Sequence, residues 1–162
     1  MSVVARMARM WIAPRRVAAE VMGLRLSEPA ALATLLAACG LFFVAQWPGH
    51  ARAAHLDPLV PLDARIGGAL LATMFMLPLL AYAMAALSHL ALWLAGRRGV
   101  DGLRLRVALF WAMLAVAPAM LLAGLVQGYI GPGPGLTLTR AVAGIGFGIF
   151  WAAGIAAALK GA

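Results

Sequence analysis

Few residues in this chain have the type and spacing to do chemistry, and the first to test is the run Gly131, Pro132, Gly133, Pro134, Gly135. A glycine-rich loop can cradle a phosphate through its backbone N–H groups, usually with a lysine close by. Two of these five residues are prolines with no N–H to give, and the flanking sequence brings no lysine. The run reads instead as a tight, uncharged turn. His50, His55, Asp57 and Asp63 have ligand types suited to zinc, yet a five-residue separation points two side chains about 140° apart on a helix, so one face cannot hold both histidines. Asp57 precedes Pro58, and Asp63 is placed to cap a helix. His89, beside Ser88 and two turns after Tyr82, meets no carboxylate within any apolar run, so general acid–base chemistry lacks its second partner. Cys39, the single cysteine, permits neither a disulfide framework nor a cysteine-based metal site. The expectation is a chain with no catalytic, cofactor-binding or metal-ligating residues, and no enzyme.

The elements around these residues explain why so little chemistry is on offer. Of 162 residues 65% are hydrophobic and 11% charged, with a mean hydropathy of +0.97, where a soluble domain has about 25% charged residues. The composition predicts an all-α integral membrane protein in one domain, a bundle of about four transmembrane helices near 29–47, 66–95, 107–130 and 138–159. Ser27 with Pro29, Asp63, and Thr137 are the expected caps of the first, second and fourth spans. Ala51, Arg52 and Ala53 look like a signal-peptide cleavage site. The apolar run before them is about 19 residues where a signal core has roughly 7 to 15, which favours a retained anchor.

Lysine and arginine set the orientation. Arg6, Arg9, Arg15, Arg16, Arg25, Arg97, Arg98, Arg104, Arg106 and Lys160 fall on one side of the four spans, and Arg52, Arg65 and Arg140 on the other. Basic loops stay in the cytoplasm, so both termini are expected inside and the 131–135 turn outside. The net charge of +8 is spread over the flanks of spans rather than gathered on one soluble face, which excludes nucleic acid as the partner and favours anionic inner-leaflet lipid. Within the basic segment 1–28, residues 14–26 place Val17, Val21 and Leu24 on one stripe, the pattern of an interfacial amphipathic helix. Arg15, Arg16, Arg25, Arg97 and Arg98 are the expected headgroup contacts. The polytopic domain then occupies 29–162.

The spans themselves carry small residues. Gly144, Gly148, Ala152 and Ala156 recur every four residues, and Gly124 with Gly128 gives the third span a shorter stripe. Joined by the Gly-Pro turn, the two stripes are expected to meet, and any face left free is open to a partner. Pro78 and Pro118 predict kinks.

The segments FVAQWP (43–48), LDARIGGALL (62–71), AALSHL (85–90), ALFWAMLA (108–115) and YIGPGPGLTL (129–138), in that order, resemble the small bacterial members of the Yip1 family found in alphaproteobacteria, over residues 14–158. The resemblance implies a multi-pass protein of the bacterial inner membrane with a cytoplasmic N-terminus. Eukaryotic members act in vesicle traffic and bind small GTPases; their longer N-terminal region has no counterpart here, and the family's usual five spans exceed the four counted. No catalytic residue carries over. Two functional classes follow: a non-enzymatic scaffold or accessory subunit acting through helix–helix and lipid contacts, with a membrane-protein partner or a second copy, and a small oligomeric transporter or channel near Pro78, Pro118 and His89.

Overall fold

The Ser27 hydroxyl accepts the Ala30 N–H at 3.4 Å, Pro29 occupies the opening turn, and Glu28 sits where the helix dipole favours an acid; together they start the first long helix. The computed structural model describes residues 2–24, 27–97 and 99–160. Its helices run α1 (Val3–Met10), α2 (Pro14–Met22), α3 (Glu28–Leu56), α4 (Leu62–Leu71), a π-helical turn (Ala72–Met76), α5 (Leu77–Leu94), α6 (Gly102–Tyr129) and α7 (Pro134–Leu159), with no strand among the described residues. Among the described residues four segments are long and apolar enough to cross a membrane: α3, α4 through α5, α6 and α7. Leu79, Ile145 and Phe75 on their outward faces are each about two thirds exposed (65%, 64% and 64%). An apolar exterior of that kind suits lipid rather than water.

Four boundaries differ by four residues or more from the sequence expectation, one of them the start of α6, which lies at Gly102 rather than 107 because Asp101 caps it by accepting the Leu103 N–H at 3.0 Å. The first span continues past Trp47 and Pro48 to Leu56. Proline removes a single intrahelical hydrogen bond, and the alanine-rich turn that follows re-forms the ladder. Its end is set by Asp57, whose carboxylate accepts the Leu59 N–H at 3.2 Å and pairs with Arg65 at 3.1 Å. Asp63 lies in the first turn of α4 behind an N-cap at Pro61 and makes no capping bond. Thr137 lies inside α7, donating its hydroxyl to the Gly133 carbonyl at 3.3 Å, because Pro134 already starts that helix with its preset φ. Pro134 and Gly135 therefore belong to α7, and the turn between α6 and α7 is carried by Gly131, Pro132 and Gly133.

The kink expected at Pro78 is a π turn. The Leu77 N–H reaches back five residues to the Ala72 carbonyl just before the proline, and the buried Thr73 hydroxyl donates to the Ala69 carbonyl at 2.7 Å.

The centre of the bundle is α6, whose residues from Leu105 to Ala117 are mostly buried, Phe110 and Leu109 fully so. Around it stand α3, α5 and α7. Glu28 and Arg106 pair at 2.6 Å and tie the start of α3 to the start of α6.

The basic N-terminal segment is built into the same core. Of the expected stripe, Val17 and Val21 are buried against the bundle, where α2 lies along α7, whereas Leu24 stands beyond the end of the helix and is exposed. Arg9 and Glu20 pair at 3.1 Å and hold α1 beside α2. The turn between them carries Trp11, whose Nε1 donates to the Ala115 carbonyl at 3.0 Å and whose ring meets Phe150 edge-on at 4.9 Å. Gly146 leaves the room for it: a Cβ there would stand 2.9 Å from the indole. Pro118 opens the hydrogen-bond ladder of α6 nearby, which makes carbonyls in that stretch available to an outside donor.

Trp11 is thus the pin of the N-terminal hairpin. Trp11→Ala is expected to cost about 2 kcal/mol, below the 3–5 of a fully buried tryptophan because part of the ring is exposed. Trp11→Phe should cost about 1 kcal/mol for the lost hydrogen bond. Thermal unfolding of both variants in mild detergent checks the order; equal stability of wild type and Trp11→Ala would show that the hairpin is not anchored there.

Candidate functional site

Gly124 and Gly128 form the closest seam in the bundle, and their partner is α3. A Cβ at Gly124 would overlap the Ala45 carbonyl, and one at Gly128 would overlap Pro48. The match is reciprocal, since Gly49 faces Gln127 so closely that an added Cβ would stand 2.8 Å from its amide carbon. Small residues four apart on both helices let the two backbones touch. The expected meeting of this stripe with the one on α7 does not occur.

The α7 stripe points the other way. Gly144, Gly148, Ala152 and Ala156 are all exposed, and nothing lies within 4 Å of a Cβ built at Gly144 or Gly148. Helix α7 instead buries Ala143, Gly146, Phe150, Ala153 and Gly154, the last so tightly that a Cβ would stand 2.8 Å from the Cβ of Ala108. Phe150 decides this orientation. In lipid no hydrophobic force selects a face, so the face with the larger knob and matching holes gains most contact.

At the turn end, Arg52 closes the structure. Its guanidinium donates to the Gly128 carbonyl at 3.3 Å and lies against Gly131, where an added Cβ would stand 2.8 Å from it. Gly131 has φ +92°, a left-handed conformation that favours glycine, and terminates α6. Arg140 donates to the Gln127 side-chain oxygen at 3.0 Å. At the other end His89 lines a small hollow of about 270 Å³ with Tyr82, Gly102 and Arg106. Among the described residues no three of His, Cys, Asp and Glu converge to hold a metal.

Of the expected headgroup arginines, Arg97 is exposed just beyond α5, and Arg15 and Arg16 are exposed in the first turn of α2. Arg25 and Arg98 lie outside the described residues. Arg15 and Arg16 follow the Trp11 anchor, which is level with Ala115, about 20 Å along α6 from Gly102 at 1.5 Å per residue. They therefore start well away from the basic end where Arg97, Arg104 and Arg106 gather.

Along the flank of α6 between α5 and α7 runs an apolar groove of about 470 Å³, with Leu80 and Met84 on one side, Met113 and Val116 at its floor, and Gly144 and Phe147 on the other. Among the described residues Arg140 is the one charged residue in its lining. No protein-family model matches the chain, and neither does any curated protein or solved structure.

Two glycines of different environment give a direct check on these contacts. Gly124→Ala is expected to destabilise by about 3 kcal/mol, the upper end for overpacking, because its Cβ would meet backbone rather than a movable side chain. Gly144→Ala should stay within about 0.5 kcal/mol. Unfolding of the purified chain in detergent measures both, and equal losses would mean that the two sites do not differ as described.

Proposed function

We propose that the chain is a non-enzymatic, multi-pass protein of the bacterial inner membrane, similar to the Yip1 family, that works as a scaffold or accessory subunit. The observation that carries this reading is the open face of α7: Gly148, Ala152 and Ala156 stand exposed with room for another helix backbone, while the stripe on α6 is already occupied by α3. A partner helix or a second copy of the chain would pack there by close approach. The reading is supported over a carrier by the groove beside α6, whose lining is apolar apart from Arg140 and offers no polar path for a solute.

Both termini lie in the cytoplasm in this proposal, on the strength of the ten-to-three distribution of the basic residues named above. Arg97 then faces anionic headgroups of the inner leaflet. Arg15 and Arg16, which start about 20 Å from that end, take no part in this contact. A cysteine at Gly133, in a Cys39→Ala background, is expected to react with an impermeant thiol reagent added to intact cells. Failure there, with reaction of a cysteine placed at Gly99, would reverse the orientation.

The scaffold reading is tested by Gly148→Leu against Ile149→Leu, one position round the helix. Because Gly148 faces open space, the first variant should leave the thermal stability of the isolated chain unchanged and lower recovery of a stoichiometric partner, or of the second copy, about tenfold, equivalent to 1.4 kcal/mol. Ile149→Leu should be nearly silent. Unchanged recovery with Gly148→Leu would remove the main support for a docking face on α7.

A further inference from the structure

We infer that the groove between α5 and α7 holds one acyl chain of an anionic phospholipid whose phosphate rests on Arg140. The inference depends on the four long helices spanning a bilayer and concerns a place other than the outer face of α7 around Gly148.

Three observations point to this occupant. The first is shape. Along α6 the groove runs from Leu109 to Met120, about 16 Å at 1.5 Å per residue, which is the reach of a chain through half of a hydrocarbon core of about 30 Å. Its volume of about 470 Å³ is within the range of sites for small ligands. The second is chemistry. The lining is aliphatic, aromatic and thioether, with Met84, Met113 and Met120 supplying flexible side chains that adapt to an irregular chain.

The third is charge. Arg140 stands at the end of the groove nearest the 131–135 turn, roughly 9 Å into α7 from Pro134. It is exposed, and among the described residues its partner is the neutral side chain of Gln127 rather than a carboxylate. A guanidinium about 9 Å inside an apolar span is costly unless it extends to the interface and meets an anion. A phosphate anchored by its own chain in the groove below supplies one, and Arg suits it with several donors in a fixed fork. A partner helix in the same groove would leave that cation unanswered unless it carried a matching acid.

The test is native mass spectrometry of the full-length chain in mild detergent with phosphatidylglycerol or phosphatidylcholine of identical chains. One phosphatidylglycerol per chain should be retained about fivefold better than phosphatidylcholine, the effect of one basic residue near a lipid surface. Arg140→Gln should abolish that preference and Arg140→Lys restore it, while Arg104→Gln, at the opposite end of α6, should leave it intact. Leu80→Trp, at a groove-lining position 60% exposed, should lower retention of both lipids without changing the stability of the lipid-free chain. Preference surviving Arg140→Gln, retention unaffected by Leu80→Trp, or a lipid-free dimer that Leu80→Trp dissociates would each overturn the inference. A chain that labels from outside at Gly133→Cys yet retains neither lipid sinks the groove occupant alone; a chain that fails to label sinks the topology first.

Discussion

The contact on which the rest of the structure depends is the touching of two backbones, α3 at Ala45, Pro48 and Gly49 against α6 at Gly124, Gln127 and Gly128. Between helices in lipid there is no gain from removing apolar surface from water, so association rests on dispersion, and dispersion rewards only close approach. Glycine at 124 and 128 removes the Cβ atoms that would hold the helices apart. Once α3 and α6 are joined at this end, the Glu28–Arg106 pair at the other end fixes their register. Arg52 is then carried over the end of α6, where it accepts the geometry of Gly131 and closes the turn into α7.

The second consequence runs through α7. With the α6 stripe occupied by α3, α7 must meet a different side of α6, and it does so through Phe150 and Gly154. The Trp11 indole fills the space that Gly146 leaves beside Phe150, so the N-terminal hairpin and α7 fix each other's rotation. That rotation turns Gly144, Gly148, Ala152 and Ala156 outward and leaves the groove beside α5 uncovered. The free surfaces of the bundle are thus by-products of how its occupied ones are satisfied.

What could be read from the sequence follows the strength of each signal. Long apolar runs, the Ser27 cap and the valine stripe of α2 each have one dominant cause, and the helices and their faces came out accordingly. Helix ends were less legible: Pro48 reads as a stop but is followed by alanines that resume the ladder, and Thr137 reads as a cap although Pro134 starts the helix earlier. The pairing of small-residue stripes was not legible at all. Among the described residues α3, α4, α5, α6 and α7 all carry glycines or alanines at four-residue spacing, and spacing alone does not say which two meet. The buried face of α7 has the same period through Gly146, Phe150 and Gly154, hidden because its middle position is large. Trp11 had a signal that spacing could have shown, since Met7, Met10 and Trp11 fall on one helical face beside an otherwise basic stretch.

Which helix faces Gly124 and Gly128 therefore decides the arrangement of the whole bundle. Its most direct measurement is disulfide formation between Gly49→Cys and Gln127→Cys in a Cys39→Ala background, since a Cβ at Gly49 would stand 3.1 Å from the Gln127 Cγ, the place a sulfur would take. Oxidation in native membranes, followed by cleavage in the loop between α5 and α6, should leave the two fragments linked until reduced, while Gly148→Cys paired with Gln127→Cys, cleaved instead in the turn between α6 and α7 that separates them, should give separate fragments. Linkage through position 148 and none through position 49 would contradict the account.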